Sequence, residues 1–164
     1  YKKNLISYST NINEINHFYG YKFALGGMFA IKGVDFEKIN GFPNIWAWGF
    51  EDNMFHDRVN ACGLHIDRSV FYPIMDKNIL QLTDGLHKIV NRGEHDKVVI
   101  QKTRDGVNTI TDIKYEFDKE NNYINITKFK SLTEPNSKNN TVHDLRKGNK
   151  VFKTKRRGKI SMFV

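Results

Sequence analysis

Alternating and helical hydrophobic patterns succeed one another along this chain. Residues 4–9 (Asn-Leu-Ile-Ser-Tyr-Ser) read as a short strand. Residues 23–31, rich in Phe, Leu, Met and Ile, read as a buried strand interrupted by Gly26 and Gly27. Two glycines inside a strand mark a bulge, tight packing, or the close approach of a sugar or diphosphate to the backbone. Asp35 is placed to N-cap a short helix over residues 36–40, with Gly41 at its C-terminal end. From Glu51 the period becomes helical up to Cys62. Met54, Phe55, Arg58, Val59 and Cys62 fall on one face at i, i+3 and i+4 spacing, and Gly63 ends the run. Residues 64–68 read as the next strand. Residues 107–117 and 122–130 alternate as the arms of a hairpin whose turn is 118–121. The run Glu134-Pro135-Asn136-Ser137-Lys138-Asn139-Asn140 reads as a linker. The pattern predicts an α/β domain over residues 1–130, a linker over 131–144 and a tail over 145–164.

The densest chemistry lies in residues 41–53, Gly-Phe-Pro-Asn-Ile-Trp-Ala-Trp-Gly-Phe-Glu-Asp-Asn. Trp46 and Trp48 stand in a short loop beside two adjacent carboxylates, Glu51 and Asp52. An aromatic ring covers the apolar C–H face of a pyranose, and carboxylates accept hydrogen bonds from its hydroxyls. One of the two acids is also placed to take a proton from an attacking hydroxyl as a general base. Equally, the tryptophans are read as core and the two acids as caps of the helix that follows. At the helix N-terminus the dipole favours the ionised forms, which predicts a charged Asp52 of lowered basicity.

Composition narrows the setting. A length of 164 residues with 39% hydrophobic content suits one domain, or part of one, with a modest core. No run is long enough to span a membrane, and no stretch reads as a secretory signal. The single Cys62 excludes an internal disulfide and a zinc pattern. The triplets Asn125-Ile126-Thr127 and Asn139-Asn140-Thr141 fit the N-glycosylation sequon, as triplets in an Asn-rich chain often do. The net charge of +8 is carried by the tail. Residues 145–164 hold Arg146, Lys147, Lys150, Lys153, Lys155, Arg156, Arg157 and Lys159 and no acid, so the rest sums to about zero. Such a tail reads as a contact for polyanions or as a solvated extension.

Three segments carry a family resemblance. They are Leu25-Gly26-Gly27-Met28-Phe29-Ala30-Ile31, Phe36-Glu37-Lys38-Ile39-Asn40-Gly41-Phe42-Pro43-Asn44, and Trp46-Ala47-Trp48-Gly49-Phe50-Glu51-Asp52. Together they resemble the C-terminal half of the β-1,4-galactosyltransferase family, with its Gly-Gly strand, its "Asn-Gly-Phe-Pro-Asn" turn and its "Trp-Gly-Trp-Gly-Gly-Glu-Asp" loop opening a helix. Polypeptide N-acetylgalactosaminyltransferases share the general Gly-Gly and Trp-Gly-Glu pattern, and the turn favours the galactosyl branch. Asp105-Gly106-Val107-Asn108-Thr109-Ile110 is similar to the family's "Asp-Gly-Leu-Asn-Ser-Leu". The resemblance is dense over residues 23–69 and sparse over about 70–128.

The resemblance implies a GT-A type nucleotide-sugar transferase fold, a mixed sheet with flanking helices. It implies inverting transfer of a hexose from a UDP-sugar to a glycan acceptor, with manganese as cofactor. Asp52 maps onto the base and Glu51 onto the acid that holds sugar hydroxyls. Trp48 belongs to a mobile loop hinged at Ala47 and Gly49 that closes over the donor. Gly26, Gly27, Tyr21 and Asn53 are the remaining substrate contacts expected. The chain departs from the pattern at Ala47, Phe50, Asn53 and Met54. The family's Met and His metal ligands align with apolar residues around Ile79 and Leu82, which leaves Met75, His87 and His95 as substitutes. The family's Asp-x-Asp donor motif occurs nowhere in the sequence, which opens on Tyr1 rather than Met. Two expectations follow: a piece of a longer transferase, or a degenerate, inactive copy that binds glycans or a partner.

Overall fold

The computed structural model describes residues 8–80, 85–132, 134–148 and 151–152. Its first sheet forms around β1 (Glu14–Gly20). β1 pairs antiparallel with β2 (Met28–Ile31), with Ile15 opposite Ile31. On its other side it runs parallel to β3 (His65–Asp67), with Ile15 opposite Ile66, and to β4 (Tyr72–Pro73), with Tyr19 opposite Tyr72. The result is the expected α/β domain with a mixed sheet. β1 was not anticipated, because Asn16 and His17 give Glu-Ile-Asn-His-Phe-Tyr-Gly a polar look, although His17 is fully buried. The strand expected at 4–9 lies largely outside the described residues, and Tyr8 and Ser9 belong to no strand. Of the strand expected at 23–31, only Met28–Ile31 pairs; Phe23 to Gly27 form an irregular loop.

Two helices cover the sheet. α1 (Gly33–Lys38) begins earlier than expected, with Lys32 at its N-cap. Asp35 lies inside α1 rather than capping it. Its buried carboxylate accepts the Asn13 backbone amide at 2.8 Å and so fixes the turn that leads into β1. The left-handed Asn40 (φ 64) and Gly41 (φ 55) end the helix; their amides bond to the carbonyls of Glu37 and Phe36, both at 2.9 Å. α2 (Glu51–Ala61) follows the expected register, with Met54, Phe55 and Val59 buried. Gly63, at φ 68, lets its own amide reach the Asn60 carbonyl and that of Leu64 reach Val59. Cys62 is exposed, not part of the buried face, because the helix ends before completing that turn.

Phe55 is fully buried at the centre of the core. Its ring stacks on Phe42 at 4.2 Å and tilts against Phe29 at 5.3 Å and Phe36 at 5.8 Å. Ile15, Leu25, Ile39, Val59 and Leu64 complete the cluster.

The C-terminal half adds β5 (His87–Asn91), α3 (Arg92–Val99), β6 (Thr111–Asp118), β7 (Tyr123–Lys130) and β8 (Asn140–Asp144). β6 and β7 form the expected hairpin, starting later than 107 because Val107–Thr109 is a 3-10 turn. The Asp118 carboxylate holds the turn by accepting the amides of Glu120 at 2.9 Å and Asn121 at 3.0 Å. Residues 140–144, expected as linker, instead pair antiparallel with β5 from Asn91↔Asn140 to His87↔Asp144. Nor is the start of the tail detached. Leu145 donates to the Leu86 carbonyl at 2.9 Å, and Phe152 meets the His95 ring edge-on at 4.9 Å. The rest of the basic run lies mainly outside the described residues. Among the described residues no helix is long and apolar enough to cross a membrane.

Because Phe55 joins three other rings in the core, Phe55→Ala should lower stability by about 3–5 kcal/mol, read as a shift in the urea midpoint with the slope unchanged.

Candidate functional site

The first turn of α2 and the loop before β2 build the site together. Phe50 holds a left-handed conformation (φ 70) at the N-cap of α2, turning the chain sharply so that Glu51 and Asp52 open the helix. The Glu51 carboxylate reaches back to accept the Gly49 amide at 3.0 Å. The Asp52 main-chain carbonyl accepts the Leu25 amide at 3.1 Å. Its carboxylate lies directly over Gly26, so that a Cβ there would overlap the carboxylate atoms. A Cβ on Gly27 (φ 72) would meet the Tyr19 carbonyl oxygen. The Gly-Gly pair thus has a packing reason within the chain itself: one glycine admits the candidate base, the other admits β1 at its bulge between His17 and Tyr19.

His17, which the sequence pattern did not single out, supports this arrangement from below. Its Nε2 lies 3.1 Å from both the Gly26 and Tyr19 carbonyl oxygens, and its Nδ1 accepts from Arg68 Nε at 3.1 Å. These partners fit a neutral ring with the proton on Nε2. Burial, and then the Arg68 charge, lower the His17 pKa in the same sense. The signal was present only as a histidine two positions from Ile15 on an alternating strand.

Burial raises the Asp52 pKa above the ordinary carboxylate value, and the neighbouring Glu51 charge raises it further. The dipole-based expectation of lowered basicity is therefore corrected: burial and the Glu51 charge shift the Asp52 pKa upward. A raised pKa makes Asp52 a better proton acceptor.

The tryptophan loop is tethered on its far side. The Trp46 amide donates to Glu94 Oε2 at 3.1 Å, and the Trp48 amide to the Ile89 carbonyl at 2.8 Å. The half-buried Trp46 ring lies parallel to Phe129, 6.2 Å between centroids and 9° between planes. Trp48 is 40% exposed. The two rings therefore divide the alternatives, one packed and one presented to solvent. Tyr21 and Phe23, both exposed, stack at 5.0 Å, and Asn53 Nδ2 donates to the Phe23 carbonyl at 3.3 Å. Tyr21, Gly26, Asn53, Glu51 and Asp52 are thus drawn to the start of α2, and Trp48 and Gly49 lie in the loop that precedes it.

Two distant motifs meet beneath the loop. Asn44 Nδ2 lies 3.0 Å from Asp105 Oδ1 and 2.9 Å from the Gly106 carbonyl. Arg58 of α2 donates to the carbonyls of Asn40, Gly41, Thr103 and Asp105. The Asn-Gly-Phe-Pro-Asn turn is thereby clamped between α2 and residues 103–106.

The substitutes considered for metal ligation do not assemble. Met75 is 73% exposed, His87 faces Asp144, and His95 bonds Asp96 at 2.9 Å. Leu82 lies outside the described residues. Among the described residues no three His, Cys, Asp or Glu side chains converge as a metal site.

Residues 7–78 match the family model described as the N-terminal domain of galactosyltransferase. Human beta-1,4-galactosyltransferase 6 is 34% identical over 62 residues, 37% of this chain and 16% of the relative. Beta-1,4-galactosyltransferase 5 of Danio rerio is 32% identical over the same length, again 16% of that relative. Xylosylprotein 4-beta-galactosyltransferase of Caenorhabditis elegans is 26% identical over 105 residues, 61% of this chain and 36% of the relative. The matches thus span well under half of these relatives' length. No solved structure matches the chain. The galactosyltransferase resemblance read from the motifs is shown over this partial region.

The raised Asp52 pKa has a thermodynamic consequence. The folded state holds the Asp52 proton more tightly than the unfolded chain, whose value is near 3.8. Stability should therefore fall as pH rises from that value through the folded pKa. Asp52→Asn should flatten this part of the profile, measured by urea unfolding between about pH 3.5 and 7.

Proposed function

We propose that this chain supplies the acceptor-side and base half of a glycosyltransferase, a hexosyltransferase of galactosyl type. The observation that carries the reading is the Asp52 carboxylate, seated against Gly26, raised in pKa by burial and the neighbouring Glu51 charge, on the helix that follows the loop of the exposed Trp48. The names of the relatives agree with it.

In this reading the donor is a UDP-sugar and the acceptor a glycan hydroxyl. Asp52 takes the hydroxyl proton as the oxygen forms its bond to the anomeric carbon. The bond from that carbon to the diphosphate breaks on the opposite face, the diphosphate leaves with the electron pair, and configuration inverts. Glu51 keeps one oxygen on the Gly49 amide and offers the other to sugar hydroxyls. Trp48 covers the sugar's C–H face, and Gly49 permits the movement that brings it there. Tyr21 and Asn53 meet the acceptor beside Gly26 and Gly27. The basic run from 145 onward gives the chain a contact for polyanions independent of this chemistry.

The deciding experiment is galactosyl transfer from UDP-galactose by the whole protein. Asp52→Asn should lower turnover by about 10²–10⁴-fold with little change in KM. Full activity in that variant removes Asp52 from the role. Glycan binding without turnover in the unaltered protein would instead favour the binding-only module.

The two tryptophans should separate in the same protein. Trp48→Ala should weaken sugar binding while leaving the thermal midpoint nearly unchanged. Trp46→Ala should lower the midpoint, because its ring stacks on Phe129. Equal destabilisation by both would make the whole motif core.

A further inference from the structure

Glu94 on α3 is a buried carboxylate, 4% exposed, that the proposed chemistry does not use. Buried carboxylates are rare unless partnered, and both of its oxygens are engaged. Oε1 accepts from Lys97 Nζ at 2.7 Å on the same helix. Oε2 accepts from the Trp46 main-chain amide at 3.1 Å, across 48 residues of sequence. Glu94 is itself held in place. Asn91 Oδ1 accepts the amides of Gly93 at 2.9 Å and Glu94 at 3.3 Å, and Asn91 Nδ2 donates to Asn140 Oδ1 at 2.8 Å. The acceptor for Trp46 is thus fixed through a helix N-cap to β8.

The opposite end of the loop is built differently. Gly49 adopts φ 123 with open space where a side chain would stand, and Phe50 is 45% exposed. Between these ends the Trp48 amide rests on the Ile89 carbonyl while its ring faces solvent.

We propose that Glu94 is the latch of the tryptophan loop, a positioning residue that fixes the main chain at the Trp46 end. It decides where the Trp48 ring is presented. The inference rests on the transferase reading only for what that ring meets. A carboxylate held by Lys97 makes a stronger acceptor than a neutral carbonyl, and removing it takes that acceptor from the Trp46 amide.

Residue-resolved amide hydrogen exchange on the full chain, without ligand, tests this. In Glu94→Ala the Trp46 amide should exchange about 10–100-fold faster than in the unaltered protein, while the Leu25 amide on the Asp52 carbonyl keeps its rate. Where Glu94→Ala does not fold, Glu94→Gln serves. It keeps a neutral oxygen, and Trp46 should still exchange about threefold to tenfold faster. An unchanged Trp46 rate in the folded variant overturns the latch. Equal acceleration at Trp46 and Leu25 also overturns it, since the whole domain would then have loosened. A second arm adds UDP-galactose and follows the emission of the chain's two tryptophans. A response that weakens in the Glu94 variant supports the latch at the sugar site. Silence in the unaltered protein counts against the transferase reading, and the ligand-free exchange result then decides the latch alone.

Discussion

The site depends on one close approach, that of the Asp52 carboxylate to the α-carbon of Gly26. It is possible only because position 26 has no side chain. It also sets the mutual position of α2 and the loop before β2, which are joined again where Leu25 donates to the Asp52 carbonyl. From the other side His17 meets the Gly26 carbonyl, in the tautomer that Arg68 selects by donating to Nδ1. The candidate base is therefore held through glycine backbone by a buried neutral histidine. Its raised pKa follows from the same contact, because packing against Gly26 removes water from one face of the carboxylate. The same shift lowers stability at neutral pH.

Much of this was legible in the sequence, and the limits of legibility have physical causes. α2 was readable because its apolar positions repeat with the helical period and Gly63 ends it, and both signals are local. The β6–β7 hairpin was readable for the same reason, its turn being held by Asp118 within its own few residues. β1 was not, because a central strand that carries His17 and Asn16 owes its burial to neighbours on both sides rather than to its own composition. Asp35 looked like a cap because Asp at a helix start usually is one. Here a left-handed Asn13, 22 residues earlier, had claimed its carboxylate. β8 was read as linker because Asn, Ser, Pro and Lys dominate that stretch, and only β5 supplies the reason for it to be extended.

The candidate site divides along the same line. Glu51 and Asp52 belong to the part that local pattern reveals, since two acids after a Trp-Gly pair at a helix start can be seen without a fold. The partners that orient them and their loop, His17, Arg68 and Glu94, come from β1, from the segment after β3 and from α3. None has a sequence neighbour that hints at its role. Arg58 lies between these cases: its place on α2 was legible, but its four carbonyl partners come from two segments that only the fold brings together.

The tethers also give the two tryptophans different surroundings and, on the proposed transferase reading, different duties. A loop free at both ends would gain little by placing an aromatic ring over a sugar, because ordering it on binding would cost conformational entropy each time. A loop fixed throughout could not exchange substrate for product. Here Trp46 is fixed by a buried carboxylate and a parallel Phe129 ring, while Trp48 is held by one main-chain bond and presents its ring to solvent. Much of the ordering is thus built into the fold. Phe50, bulky where the family resemblance has glycine, then has a physical place. Its ring meets His95 edge-on at 5.1 Å, a second contact of this loop with α3, the helix that also carries Glu94.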